Sequence, residues 1–232
     1  MPEQVEYYNH FALANRDLIL SCPEPELWTT DYQEKGRVYR EMVQRIEQQQ
    51  QLITTYFNKQ DKILDIGCGF GRQACMLARN GYKVVGTDTS YAFIKIAEAL
   101  FDKHGYNGEF ICTDITSENK ISDSYRQILL LDVLEHITPS RREPIFKKLH
   151  ELSSPGATLI VSLPHVKKRL SSQLNNRVRR AITQHFAYFM QKEEHPYPVP
   201  GKSKIIKLAK GYFMLNAFVN SAATDYYVFN RE

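Results

Sequence analysis

Ile63 to Ala74 reads ILDIGCGFGRQA: a short apolar run carrying one acid, Asp65, then three glycines at alternate positions, Gly67, Gly69 and Gly71, then a turn toward helix. An apolar run of this length closed by glycine is a buried strand, and glycines at its tip allow a tight turn and close approach of bare backbone to a ligand. Asp65 sits two residues ahead of the first glycine. The ligand must therefore suit a carboxylate and exposed amides together.

Outward from this stretch, strand and helix patterns alternate. Lys62 to Ile66 is a strand, and Arg72 to Asn80 a helix ended by Gly81. YKVVGTD, GEFICTD, YRQILLLD and GATLIVSLP read as four further strands, separated by SYAFIKIAEALFDKH, which Gly105 ends, and by PSRREPIFKKLHEL. The strands are continuous apolar runs, as in a parallel sheet covered on both faces, which makes the fold class doubly wound α/β. The final runs YFMLNAFVN and ATDYYVFNR are too close for a parallel crossover and should be antiparallel. Residues 36–57 form a helix leading into the first strand, residues 1–33 are mixed and aromatic, and 1–57 together make an N-terminal helical cap region.

Length and composition bound the rest. At 232 residues, 43% hydrophobic and 24% charged, the chain suits one globular domain. No apolar run approaches the roughly 18–20 residues of a membrane span, and MPEQVEYYNH has no signal-peptide pattern, so a cytoplasmic protein is expected. Cys22, Cys68, Cys75 and Cys112 are scattered and read as reduced and structural. Of the net charge of +4, residues 166–210 hold eleven Lys/Arg against two Glu, or +9, which leaves −5 elsewhere. That segment reads as an insertion between strands 5 and 6: a basic amphipathic helix from Leu170 to Lys192, then the proline-rich HPYPVPGKS. It suits a lid over the site, contact with the inner face of an anionic membrane, or a polyanionic acceptor. Nucleic acid is the least favoured partner, since no recognised RNA-binding module is present.

The glycine spacing excludes a dinucleotide fingerprint, because Arg72 stands where G-x-G-x-x-G needs its third glycine, and Asp65 would repel a pyrophosphate. A cationic cofactor fits instead. S-adenosylmethionine has no phosphate and carries a sulfonium and an ammonium. Asp88 ends the second strand twenty-one residues after Gly67, placed for both ribose hydroxyls, and Asp114 ends the third, where an adenine amino group can be received.

ILDIGCGFG, VVGTD, CTD and LLLDVLEHI together resemble the class I S-adenosylmethionine-dependent methyltransferases over about residues 60–165. The resemblance implies a Rossmann-like seven-stranded sheet of order 3-2-1-4-5-7-6 with strand 7 antiparallel. It places Asp65, Gly67, Gly69 and Gly71 at the methionine end of the cofactor, Asp88 at the ribose, Thr89 at the ribose or the adenine and Asp114 at the adenine, with Cys68, Ile115, Leu131 and Asp132 as further cofactor-binding residues.

In LLLDVLEHI, Asp132 ends the fourth strand, with Glu135 and His136 three and four positions on, toward one side of the following turn. The D-x-x-E-H arrangement resembles that of ubiquinone-biosynthesis O-methyltransferases and of small-RNA 2′-O-methyltransferases. This implies a divalent metal held by Asp132, Glu135, His136 and a later histidine, for which His195 is the candidate. A metal would lower the pKa of an acceptor hydroxyl and hold its oxygen in line with the methyl group. Metal-free acid–base work by His136 and a structural role for the pair are the alternatives. His165, at the tip of the fifth strand, either faces the acceptor or sits on the surface. In EYYNHFA, Tyr7 or Tyr8, or else Arg37 or Arg40 beyond it, would reach the methionine carboxylate.

The expected activity is methyl transfer to a hydroxyl of a small-molecule, lipid-linked or glycan acceptor, with Glu135, His136 and His195 as catalytic candidates. N-methylation, RNA 2′-O-methylation and a cofactor-binding regulatory module without turnover are the alternatives.

Overall fold

The computed structural model describes residues 2–116, 121–165, 197–221 and 224–231, so His195 and the expected helix from Leu170 to Lys192 lie outside the described residues. Seven strands form one sheet: β1 (Lys62–Ile66), β2 (Lys83–Asp88), β3 (Gly108–Cys112), β4 (Tyr125–Leu131), β5 (Ser153–Pro164), β6 (Phe213–Asn220) and β7 (Thr224–Arg231). Their order is β3-β2-β1-β4-β5-β7-β6, with the first five parallel and β7 antiparallel to both its neighbours, as the sequence and the resemblance imply.

Two boundaries differ from the sequence reading. Pro155-Gly156, expected as a turn ahead of the fifth strand, lies inside β5. Gly156 takes φ +73°, the pairing with β4 slips there, and it resumes at Gln127 opposite Thr158. The residues are thus a strand irregularity that a left-handed glycine permits. Most of residues 1–33 also proves regular, as α1 (Pro2–Ser21). Its apolar side chains are spread around the axis, with Leu13 and Leu18 exposed and Ala12 and Ile19 buried, so no clear stripe marks it in sequence. Packing against α4 (Tyr91–His104) holds it.

Alternation along the strands fills two cores. Ile63, Leu129, Leu131 and Tyr226 face α1, α2 (Arg37–Tyr56), α3 (Arg72–Arg79) and α4, whereas Leu64, Ile128, Leu130 and Tyr227 face α5 (Arg142–Leu152) and α6 (Lys202–Ala209). Leu64, Leu77, Phe146 and Phe229 are fully buried, each contributing about 1.5–3 kcal/mol through removal of apolar surface from water. Asp65 alternates with Leu64 and so points to the α2–α3 side. The carboxyl ends of β1 and β4 flank the point where the sheet order reverses, the usual ligand crevice of such sheets. Among the described residues no helix is long and apolar enough to cross a membrane.

Candidate functional site

The crevice is shaped by the glycine loop. Gly67 takes φ +72°, and a Cβ there would fall 2.5 Å from Val133 Cγ2, so both conformation and space demand glycine. The amides of Gly67 and Cys68 donate to Thr87 O at 2.7 and 3.0 Å, which ties the loop to β2. Gly69 donates its amide to Asp88 Oδ2 at 2.9 Å, and Gly71, at φ +85°, starts α3. Cys68 is buried, and burial pushes its thiol well above the ordinary range, so it packs and does not react.

Two hollows open around this loop. The larger, about 840 Å³, is lined by Asp88, Thr89, Asp114 and Ile115 on one side and by Asp132, Val133 and His136 on the other, under a wall from α1 that includes Tyr8 and Asn9. Its size suits a nucleoside cofactor or other small molecule. The smaller, about 190 Å³, is lined by Asp65, Cys68, Leu131, Arg45 and Arg72. Gly67, Gly69, Phe93 and Asp132 line both. Gly71 lines neither; it serves the loop by starting α3.

The acids differ in state. Asp65 is 2% exposed and its Oδ2 is buried with no hydrogen-bond partner. Burial, and then the nearby Asp88, push its pKa up to about 7. Such an oxygen is suited to a cationic donor. Asp88 accepts from the amides of Gly69 and Ser90 at 2.9 and 2.8 Å, and each oxygen keeps a lone pair for a ribose hydroxyl. At Asp114 burial raises the pKa, but hydrogen bonds from Arg141 and Thr116 outweigh it and hold the carboxyl below its usual range. Arg141 Nη2 lies 2.6 Å from Asp114 Oδ2, so an adenine amino group would share that carboxylate with a guanidinium.

Asp132 ends β4 in a left-handed conformation, φ +55°. Its amide donates to Ser162 Oγ at 2.9 Å, Ser162 Oγ donates to its Oδ1 at 2.8 Å, and Arg45 Nη1 donates to its Oδ2 at 2.6 Å. The neighbouring Asp132 carboxylate raises the pKa of Arg45. Arg72, the second cation of the small hollow, donates to the carbonyls of Glu26 and Trp28, both at 2.8 Å. The sequence offered Arg37 and Arg40 for the methionine carboxylate, and the structure places both outside the two hollows. Arg37 is 73% exposed and pairs with Glu41, Arg40 bonds Lys35 O, and neither lines a hollow. Their helix phase explains the difference, since Arg45, four residues before the buried Gln49, lies on the inward stripe of α2.

The expected metal group is not assembled from Asp132, Glu135 and His136. Both Asp132 oxygens are engaged, and among the described residues no three His, Cys, Asp or Glu side chains could hold a metal ion. Leu134–His136 is a 3₁₀ turn with three residues per turn, which sends adjacent side chains to different sides. Glu135 turns inward, 1% exposed, with neither oxygen hydrogen-bonded. Burial, then Asp132, push its pKa well above the ordinary value, which favours the protonated form. Asp132, Glu135 and His136 do not by themselves fit a metal, and His195, the fourth expected ligand, lies outside the described residues. His136 faces the large hollow, and Tyr8 Oη lies 2.9 Å from its Nδ1. His165 lines neither hollow; its Nε2 sits 2.8 Å from Asp225 Oδ1. Tyr7 packs edge-on against Tyr8 at 5.3 Å and is not among the lining residues.

Sequence reasoning missed Arg45, Arg141, Ser162 and Asn9. The amphipathic stripe of α2 could have found Arg45; the others carry no local signal.

The chain's similarities agree with this geometry. Residues 63–156 match the family model described as a methyltransferase domain. A ubiquinone biosynthesis O-methyltransferase of Coxiella burnetii is 31% identical over 100 residues, 43% of this chain and 42% of the relative. The chain thus spans less than half of that relative's length. Another of the same description, from Rickettsia canadensis, is 26% identical over 173 residues, 74% of this chain and 68% of the relative. The solved magnesium protoporphyrin IX methyltransferase of Synechocystis PCC 6803 with bound S-adenosylmethionine superposes with TM-score 0.67 at 16% identity, covering 98% of this chain and 94% of that one. In its order of strands and its glycine loop the chain has the Rossmann-like fold of that solved methyltransferase, and its residues 63–156 match a methyltransferase domain.

Proposed function

We propose that the protein transfers a methyl group from S-adenosylmethionine to a hydroxyl of a small or lipid- or glycan-linked acceptor. The observation that carries the cofactor half is the buried, unpartnered Oδ2 of Asp65 beside the glycine loop. It would receive the ammonium, Asp88 the ribose hydroxyls and Asp114 the adenine, while Arg45 and Arg72 bring positive charge to the carboxylate end. When bound, the cofactor supplies a methyl group activated by a sulfonium charge.

The chain's own residues would do the rest. Phe93, Val133, Ile137 and Ile145 give the acceptor side an apolar lining that excludes water. His136 presents an imidazole to the large hollow, its Nδ1 lying 2.9 Å from Tyr8 Oη, and would take the acceptor's proton. Arg45 and Ser162 fix Asp132 at the junction of the hollows. The names of the curated relatives favour oxygen as the methylated atom.

The test is conversion of S-adenosylmethionine to S-adenosylhomocysteine by the purified protein with phenolic and aliphatic hydroxyl acceptors. Turnover with a hydroxyl compound is expected. Turnover only with amines would replace oxygen by nitrogen, and tight cofactor binding without any turnover would point to a regulatory module.

A further inference from the structure

We propose that Asn9 of the N-terminal helix is a nucleoside-binding residue, donating its side-chain amide to the ribose oxygens. Its orientation is fixed by chemistry. The Ala92 backbone amide, which can only donate, lies 3.2 Å from Asn9 Oδ1, so the atom there is the oxygen. Ser90 Oγ, which accepts from the Phe93 amide at 3.2 Å, donates its single proton to the same oxygen at 2.7 Å. The Nδ2 group is thereby turned away from α4, and it has no hydrogen-bond partner among the described residues, although Asn9 lines the large hollow.

Ser90 links this amide to Asp88. Its backbone amide donates to Asp88 Oδ1 at 2.8 Å, while its hydroxyl holds Asn9, so the two side chains flank one residue and line one cavity. The roles are complementary. Two ribose hydroxyls directed at a carboxylate spend both their protons on it, and the lone pairs left on their oxygens need a donor. Among the nearby groups Asp88 can only accept; Asn9 Nδ2 can only donate. The helix that walls the site would thus read the ribose directly, and nothing in the glycine loop or strand tips announces it.

The inference rests on the cofactor reading of the same cavity, and the experiment separates the two. Calorimetry measures S-adenosylhomocysteine and its 2′-deoxy and 3′-deoxy analogues against the native protein and Asn9→Asp. Aspartate keeps the oxygen that caps α4 and loses the donor. Native protein should bind S-adenosylhomocysteine, and Asn9→Asp should bind it at least about tenfold more weakly. The penalty should shrink for the analogue lacking the contacted hydroxyl. No binding by native protein removes the cofactor reading itself. Native binding with a variant within twofold, or with an equal penalty for all three ligands, overturns the role of Asn9 alone. Should the variant not fold, a crystal structure of native protein with S-adenosylhomocysteine decides: Nδ2 beyond about 3.5 Å from both ribose oxygens overturns it.

Discussion

Replacement of Asp65 by asparagine should stabilise the ligand-free protein and abolish tight cofactor binding. The carboxyl is 2% exposed, and burial, followed by Asp88, holds its pKa at about 7 against 3.8 for the free group. An acid whose folded pKa is raised binds its proton more tightly folded than unfolded, so stability falls as pH rises from about 4 to 7 and is level above. The shift of roughly three units is worth about 4 kcal/mol once complete, a large share of the 5–15 kcal/mol typical of a domain. At pH 5 less than half of it has been incurred. Asp88 is raised as well, by burial, and carboxyls such as Asp114 are held low, so the native profile alone mixes several groups. The difference between native and Asp65→Asn cancels the groups that do not interact with Asp65 and leaves Asp65 with its coupling to Asp88.

Urea unfolding followed by circular dichroism at pH 5 and pH 8 gives that difference, and the variant's advantage should grow by roughly 2–3 kcal/mol across the interval. Calorimetry on the same samples should show the opposite ranking for S-adenosylhomocysteine, because the amide carries no charge for the ammonium. Equal stabilities at both pH values, or undiminished affinity in the variant, would refute the idea that a buried, unsatisfied carboxylate is kept for a cation.

Three further outcomes follow from the geometry. His136→Ala should lower kcat about 10²–10⁴-fold in a coupled S-adenosylhomocysteine assay while leaving its dissociation constant within about threefold. Arg45→Met strips Asp132 of a 2.6 Å charged hydrogen bond between groups about a quarter exposed, and should cost about 1.5–3 kcal/mol in urea unfolding, with weaker cofactor binding by calorimetry. Gly67→Ala meets both a φ of +72° and Val133 Cγ2 at 2.5 Å. The backbone alone costs about 1–2 kcal/mol, and in a double-mutant cycle Val133→Ala should restore the clash component but not that one.

The sheet and the acids that line the hollows were legible because their signals are local. Strand periodicity, glycines that end helices, and acids at strand tips all fall within a few residues of the features they predict. The opposite wall was not, because its contacts join distant segments: Tyr8 to His136 across 128 residues and Arg45 to Asp132 across 87. No window of sequence contains both partners. The D-x-x-E-H spacing misled for a related reason. It counts positions correctly, but the backbone there winds as a 3₁₀ turn, which carries Glu135 into the core and leaves Asp132 and His136 at the cavity.

Asp132 joins these two kinds of information. In sequence it is merely the acid ending LLLD, yet its backbone adopts φ +55°, a conformation that costs a non-glycine residue about 1–2 kcal/mol. Glycine would remove that strain but also the carboxylate to which Arg45 and Ser162 are bound. The aspartate side chain thus makes bonds that offset the strain. The Arg45 bond draws α2 onto the tip of β4, and the Ser162 bonds tie that tip to β5, so the junction of the two hollows is held from both sides. Strain of this kind persists only where the surroundings over-determine it, and here it falls where the two hollows meet, a junction that under the proposed function lies between the methionine end of the cofactor and the acceptor, where small displacements of a reacting group cost most.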